Sequence, residues 1–140
     1  MIVHSNVEST SRKFLLLGVI AALLGVAEGA FGAHGLKGIL SADMLIVFET
    51  GVRYQMYHAF ALMITAMSVK QWGSDHPARF IVAGWCFVIG ILLFSGSLFL
   101  LSVTGNASLG VITPIGGLAF LVGWGSLALA LLGRRHPSKM

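Results

Sequence analysis

Residues 14–33 read FLLLGVIAALLGVAEGAFGA, 20 residues in which Glu28 is the only charge. A helix needs about 20 predominantly apolar residues to cross a hydrocarbon core of ~30 Å. This stretch therefore predicts a membrane span from Phe14 to Ala33. Working outward, Gly51 to Val69 is a second candidate, with Arg53, Gln55 and His58 in its first half. Phe80 to Val103 is a third, polar only at Ser95, Ser97 and Ser102 after its first turn. Leu109 to Leu132 is a fourth. Composition agrees. The chain has 140 residues, 56% hydrophobic and 10% charged, against roughly 25% charged in a soluble protein. That excludes a soluble globule, and the apolar content excludes disorder. The expected organisation is a polar, disordered start over residues 1–13, a membrane domain over 14–132 and a basic cytoplasmic tail over 133–140.

The Lys/Arg distribution orients these spans. Arg12 and Lys13 precede the first, Lys70 and Arg79 flank the second connection, and Arg134, Arg135 and Lys139 follow the fourth. With four spans these regions share one side and hold seven of the nine basic residues. Lys37 and Arg53 fall on the other side. The positive-inside rule then places both termini in the cytoplasm of a bacterial inner membrane, with Trp72 and Trp85 at the cytoplasmic interface. Arg12-Lys13, the apolar run and the small residues near Ala30 also have the order of a signal peptide. The run reaches full spanning length if Glu28 is tolerated, which favours a retained span. Between spans 1 and 2, Ser41 can cap a helix beginning at Ala42, with Asp43 in its first turn. Met44, Val47 and Phe48 recur at helical spacing, so a short amphipathic helix on the outer membrane surface, running into the second span, is expected there, with a plain loop as the alternative. His76 and Pro77 fit the N-cap and first position of the third span. The predicted fold is an all-α integral membrane four-helix bundle carrying that interfacial helix.

Depth is the more informative property of the polar residues. Glu28 lies five residues from the outer end of its span, about 7 Å at 1.5 Å per residue. In this topology Arg53, Tyr54, Gln55, Tyr57 and His58 occupy the outer half of span 2. Ser95-Gly96-Ser97 lies just beyond the middle of span 3, and Thr113-Pro114-Ile115-Gly116-Gly117 in the outer half of span 4. The inner halves are Leu, Ala, Val, Phe and Gly. An ionisable side chain inside a membrane normally faces the bundle interior and has a partner. The expected partner of Glu28 is Arg53, with His58 and Tyr54 completing a network and His34 near the same end of span 1. The alternative is Arg53 paired with Glu49, four residues away, and Glu28 reaching toward water. The candidate polar network, or ligand or proton site, is thus Glu28, His34, Arg53, Tyr54, Gln55, His58, Ser95, Ser97 and Thr113.

Small residues have a structural reading. Gly18-x-x-x-Ala22, Ala21-x-x-x-Gly25-x-x-x-Gly29 and Gly32 make a close-packing face on span 1. Gly116-Gly117 after Pro114 is expected to loosen or kink span 4, with Ser95 or Ser97 meeting freed carbonyls. Recognisable catalytic motifs are lacking. Cys86 is alone, and the five His are too dispersed for a metal set. Ser95-x-Ser97 has no base on its own helix. The glycines of residues 29–36 carry no P-loop Lys-Ser/Thr. No cofactor and no nucleic-acid partner is expected, because the basic residues sit at segment ends.

Four stretches carry a resemblance: Gly29-Ala-Phe-Gly-Ala-His-Gly-Leu36, Phe48-Glu-Thr-Gly-Val-Arg-Tyr-Gln-Met-Tyr-His-Ala59, Leu93-Phe-Ser-Gly-Ser-Leu98 and Ile112-Thr-Pro-Ile-Gly-Gly117. They resemble the motifs of a family of small bacterial membrane proteins, domain of unknown function 423, whose eukaryotic relatives are named transmembrane protein 256. The likeness covers nearly the whole chain beyond the first dozen residues. It implies a four-helix inner-membrane protein with its first span retained, and it brings no activity, cofactor or functional residues. Met1 to Ser11 exceeds the family's usual beginning.

Small size, glycine faces and the missing catalytic set favour an interaction or assembly protein. Its partners would be the lipid bilayer and another membrane protein or a second copy of itself. The alternative is a small proton-coupled transporter using Glu28 and His58. The charge bias and the absence of an obvious inverted repeat set the chain apart from the small multidrug resistance transporters, which share a membrane Glu in their first helix. An enzyme acting on lipid or quinone, with His58 as base, comes third. The neighbours of Glu28 discriminate: a sealed ion pair favours a scaffold, and a wet, open cavity favours transport.

Overall fold

The computed structural model describes residues 2–73 and 76–133, with side chains from Val7 onward. It is all-helical. Helix α1 (Ile2–Ala30) passes into a π-helical turn, Phe31–Gly35. Helix α2 is Ala42–Trp72 and α3 is Pro77–Gly90. A second π turn, Ile91–Ser95, joins α3 to α4 (Gly96–Thr104) in one continuous rod. A 3₁₀ turn, Ala107–Val111, precedes α5 (Thr113–Leu132). Three segments are long and apolar enough to cross a membrane: Val7–Gly35, Pro77–Thr104 and Ala107–Leu132. The surface has the inverted character of a membrane bundle. Large apolar side chains such as Leu23, Val26, Met67, Leu92, Leu121 and Leu132 are exposed.

The helix ends follow the sequence signals. Ser41 Oγ accepts from the backbone N–H of Met44 at 3.3 Å, with Asp43 in the first turn and Lys70 in the last. Helix α4 ends at Gly105, whose φ of 69° is left-handed and costs glycine no steric strain. His76 precedes α3 as expected, but its side chain caps a different helix. Its Nε2 lies 2.7 Å from the Gly133 carbonyl, and Arg79 donates to the Leu129 carbonyl at 2.9 Å. These two groups meet the bare carbonyls, and Arg79 also the negative dipole end, of α5.

Two expectations change and one is met in part. The helix expected from Ala42 runs into the second span: Ala42–Trp72 is one unbroken helix of 31 residues, about 46 Å long. Ser41 starts it, and no glycine pair or proline interrupts it before Trp72. Gly116-Gly117 do not interrupt the fourth helix, since α5 is α-helical from Thr113 to Leu132. Pro114 sits in its first turn, where its missing N–H costs no hydrogen bond. The stretch 1–13 is helical from Ile2, continuing α1. Ser11 ties that end down by donating to the Ala66 carbonyl at 2.8 Å. The tail 133–140 lies, apart from Gly133, outside the described residues.

Helix α2 is the hub. It packs along α1 on one side and against α3, the second π turn and α4 on the other. This explains its mixed composition, because a helix covered by neighbours shows less surface to lipid. The small-residue stripe of α1 lies on it: a Cβ added to Gly18 would stand 2.8 Å from the Ala59 carbonyl oxygen, and one on Gly32 3.0 Å from the Phe48 ring. The core alternates Phe14, Phe80, Phe87 and Phe120 with Ala61, Ala66, Ala83 and Ala130. Rings lie over glycines, Phe87 against Gly123 and Phe99 against Gly51. Helix α1 touches α3 only sparsely, so a cleft opens between them.

Candidate functional site

The cleft lies between α1 and the α3–α4 rod, with α2 as its floor, and has a volume of about 290 Å³. Its wall is apolar along Leu17, Ile20, Ala21 and Leu24 on α1 and along Val88, Ile91, Leu92 and Phe99 opposite. Glu28 and Gln55 are the polar side chains lining it. Ile20, Leu24 and Leu92 are also exposed to the bundle's outside, so the cleft opens sideways, toward lipid.

Glu28 does not meet Arg53. Its polar neighbour is Gln55, and its Oε2 is buried without a hydrogen-bond partner. Gln55 is itself fixed, its Nε2 donating to the Ala21 carbonyl of α1 at 3.1 Å. The cause is helical geometry. Arg53 and Gln55 are two residues apart, about 200° around a helix of 3.6 residues per turn. Once Gln55 faces α1, Arg53 cannot. The guanidinium is exposed and donates to Thr50 Oγ1 at 3.3 Å, while Thr50 donates to the Ile46 carbonyl. Among the described residues no ion pair joins Arg53 to Glu28 or to Glu49. Both arrangements expected for Arg53 are thus replaced. His34 is exposed on the first π turn and does not join Glu28.

His58 belongs to a second, separate cluster. It is 5% exposed. Its Nδ1 is 2.8 Å from the Tyr54 carbonyl, and Trp124 Nε1 donates to its Nε2 at 3.3 Å. A carbonyl only accepts and an indole N–H only donates. These partners therefore hold a neutral imidazole with its proton on Nδ1. The ring stacks on Phe120, 3.3 Å between centroids and 6° between planes. Tyr54 does share the His58 face, as the spacing predicts, with rings 6.2 Å apart and 20° between planes. The hydrogen bond uses its carbonyl and not its hydroxyl. Tyr54 also stacks on Phe94 at 4.4 Å.

The third polar group joins the two remaining rods. Ser97 Oγ is 2.8 Å from Thr113 Oγ1 and donates to the Phe94 carbonyl at 2.9 Å when Thr113 supplies its own proton. Ser95, 0% exposed, leaves its Oγ without a partner. So the predicted set divides into three: Glu28 with Gln55, His58 with Tyr54, and Ser97 with Thr113. Arg53, His34 and Ser95 stand outside. Sequence reasoning missed Trp124 and Phe120, since aromatic residues in an apolar helix carry no sign of which polar group they will cover. It also missed both π turns. Such turns occur often at functional sites. One follows Glu28 by three residues, and Ile91 and Leu92 of the other line the cleft.

Long apolar helices around a polar-ended lateral cleft define a small integral membrane protein. The family described as protein of unknown function (DUF423) matches residues 28–117, which span the Glu28 motif, α2 and the Ser97–Thr113 junction. The chain belongs to that family. It is 47% identical over 119 residues to the UPF0382 membrane protein YwdK of Bacillus subtilis, covering 85% of this chain and 95% of that one. It is 45% identical over 117 residues to a UPF0382 membrane protein of Haemophilus influenzae, covering 84% and 91%. A UPF0382 membrane protein of Staphylococcus aureus is 44% identical over 126 residues, covering 85% and 94%. No solved structure matches the chain.

Proposed function

We propose that this protein is an interaction or assembly protein of the bacterial inner membrane, and that the cleft beside Glu28 is its contact surface. The observation that carries this reading is the environment of Glu28. It is neither the sealed ion pair expected of a scaffold nor the wet cavity expected of a transporter: Glu28 has no link to the imidazole and lines a cleft that is apolar apart from Glu28 and Gln55 and open to the side, a surface suited to contact. A proton path would need His58 to exchange protons, and both its nitrogens are already engaged. In this reading α2 is a fourth span, shielded by its neighbours, and both termini are cytoplasmic. The Lys/Arg distribution supports that orientation.

A photo-crosslinking amino acid at Leu92, 67% exposed on the cleft rim, tests the contact in native membranes. The expected result is a discrete adduct with a membrane protein, a second copy or a lipid, weakened by Glu28→Gln. Proton flux in liposomes that is abolished by Glu28→Gln would overturn the reading, as would a chain that stays monomeric and cross-links to nothing. A cysteine at Ser108, exposed beyond α4, is expected to react with a membrane-impermeant thiol reagent from outside the cell. Protection there, with reaction only after lysis, reverses the orientation.

A further inference from the structure

We propose that the cleft binds a membrane amphiphile with an ammonium head, its head at Glu28 and one alkyl chain lying toward Leu17. This deepens the contact reading above and rests on it. The cleft is asymmetric along its length. Glu28 and Gln55 stand at one end, and Leu17, Leu62 and Val88 line the remainder. Leu17 and Glu28 are 11 residues apart on α1, a rise of about 16 Å. That is the form of a slot for one hydrocarbon chain with a polar group at its top. A volume of about 290 Å³ stands at the lower limit of the ~300–1,000 Å³ usual for small-ligand sites. It is too narrow to take in a partner helix, whose diameter with side chains is about 10–12 Å, so a protein partner would meet the rim of the cleft and not its interior.

The head group follows from what Glu28 lacks. Its Oε2 is a buried acceptor with nothing to accept. The nearest polar side chain, Gln55, hydrogen-bonds the carboxyl group and gives Nε2 to the Ala21 carbonyl, and still Oε2 has no donor. The one cation on the neighbouring stretch of α2, Arg53, is turned to Thr50. A carboxylate removed from water is costly unless it is both paired and hydrogen-bonded. A primary ammonium supplies a charge and three donors at once. The opposite wall has room at the same place. Gly96 lines the cleft, and a Cβ built on it meets nothing within 4 Å. A side chain there would enter the slot without colliding with the fold.

The test uses the full chain in nanodiscs of phosphatidylcholine, a lipid without a primary amine. The probe is hexadecylamine carrying a mid-chain diazirine, run beside the same chain ending in a hydroxyl or a carboxylate. After photolysis the labelled peptides are mapped by mass spectrometry. The amine is expected to label cleft residues of α1 and the α3–α4 rod, and unlabelled hexadecylamine to compete. Labelling should fall about tenfold or more in Glu28→Gln, the order expected when a buried charge pair loses one partner. It should fall as far in Gly96→Leu, which fills the slot and leaves the carboxylate in place. Leu92→Trp, at the rim, serves if Gly96→Leu does not fold. Equal labelling by the three head groups overturns the proposal, as does full labelling of either variant. If the amine fails while the Leu92 cross-link to a protein persists, the ammonium ligand is wrong and the contact reading stands. If the amine binds and that cross-link is absent from native membranes, the cleft binds lipid and the protein-contact form of the reading fails.

Discussion

Glu28 and His58 belong to facing helices and were expected in one network, yet their surroundings are opposite. Both nitrogens of His58 are hydrogen-bonded and its ring lies flat on Phe120. Glu28 has a bare oxygen beside a cleft. A polar group with every valence met inside the bundle serves the architecture. One left unmet at an opening is available to something else. The difference teaches that depth in the membrane does not by itself define a site, and that satisfaction of hydrogen bonds separates structural from functional polarity.

The comparison breaks most readily at His58. His58→Ala removes the stacked ring and strips Trp124 Nε1 of its acceptor. It is expected to destabilise the bundle by about 3 kcal/mol, the usual scale for emptying a packed site. Thermal unfolding in detergent, followed by circular dichroism, measures this, and a midpoint unchanged from the parent would show the stack to be dispensable. Gln55→Leu comes next. It deletes the bond from Gln55 to the Ala21 carbonyl that joins α2 to α1, at a cost of about 1 kcal/mol within the range for helix–helix hydrogen bonds in membranes. Proteolysis of α1 should also become faster. Trp124→Phe keeps an aromatic ring and loses the indole donor together with the second ring of the bicycle; because Trp124 is 43% exposed, a smaller loss of about 0.6 kcal/mol, the scale of the hydrogen bond, is expected. Should it match His58→Ala, the hydrogen bond and not the stack would dominate.

Glu28→Gln is expected to have the smallest effect on stability, within about 0.5 kcal/mol and in the stabilising direction. It replaces a half-buried carboxyl group, one oxygen of which lacks a partner, by a neutral amide. A loss as large as that of His58→Ala would mean that Glu28 is a structural group after all, and would erase the contrast between the two sites.

Much of the architecture was legible before any coordinates. The 20-residue apolar run at 14–33, the Ser41 cap, the Pro77 start and the small-residue stripe each depend on a local pattern, and each is found. The run of the helix from Ala42 into the polar span was legible as well, and its unbroken length of 31 residues agrees with it. The family motifs also marked the right stretches. The partner of Glu28 was not legible. Opposite charge favoured Arg53 over Gln55, and nothing local fixes which face of α2 turns to α1.

Hydrophobic length and helical periodicity are local properties of a chain, so the residues alone mark a membrane protein of long helices with polar side chains gathered in particular segments. Which of those side chains meet is a property of the packed bundle. Rotation of α2 about its axis is set by the sum of glycine, alanine and phenylalanine contacts along its length, and those contacts bring Gln55 to Glu28, carry His58 to Trp124 and turn Arg53 away.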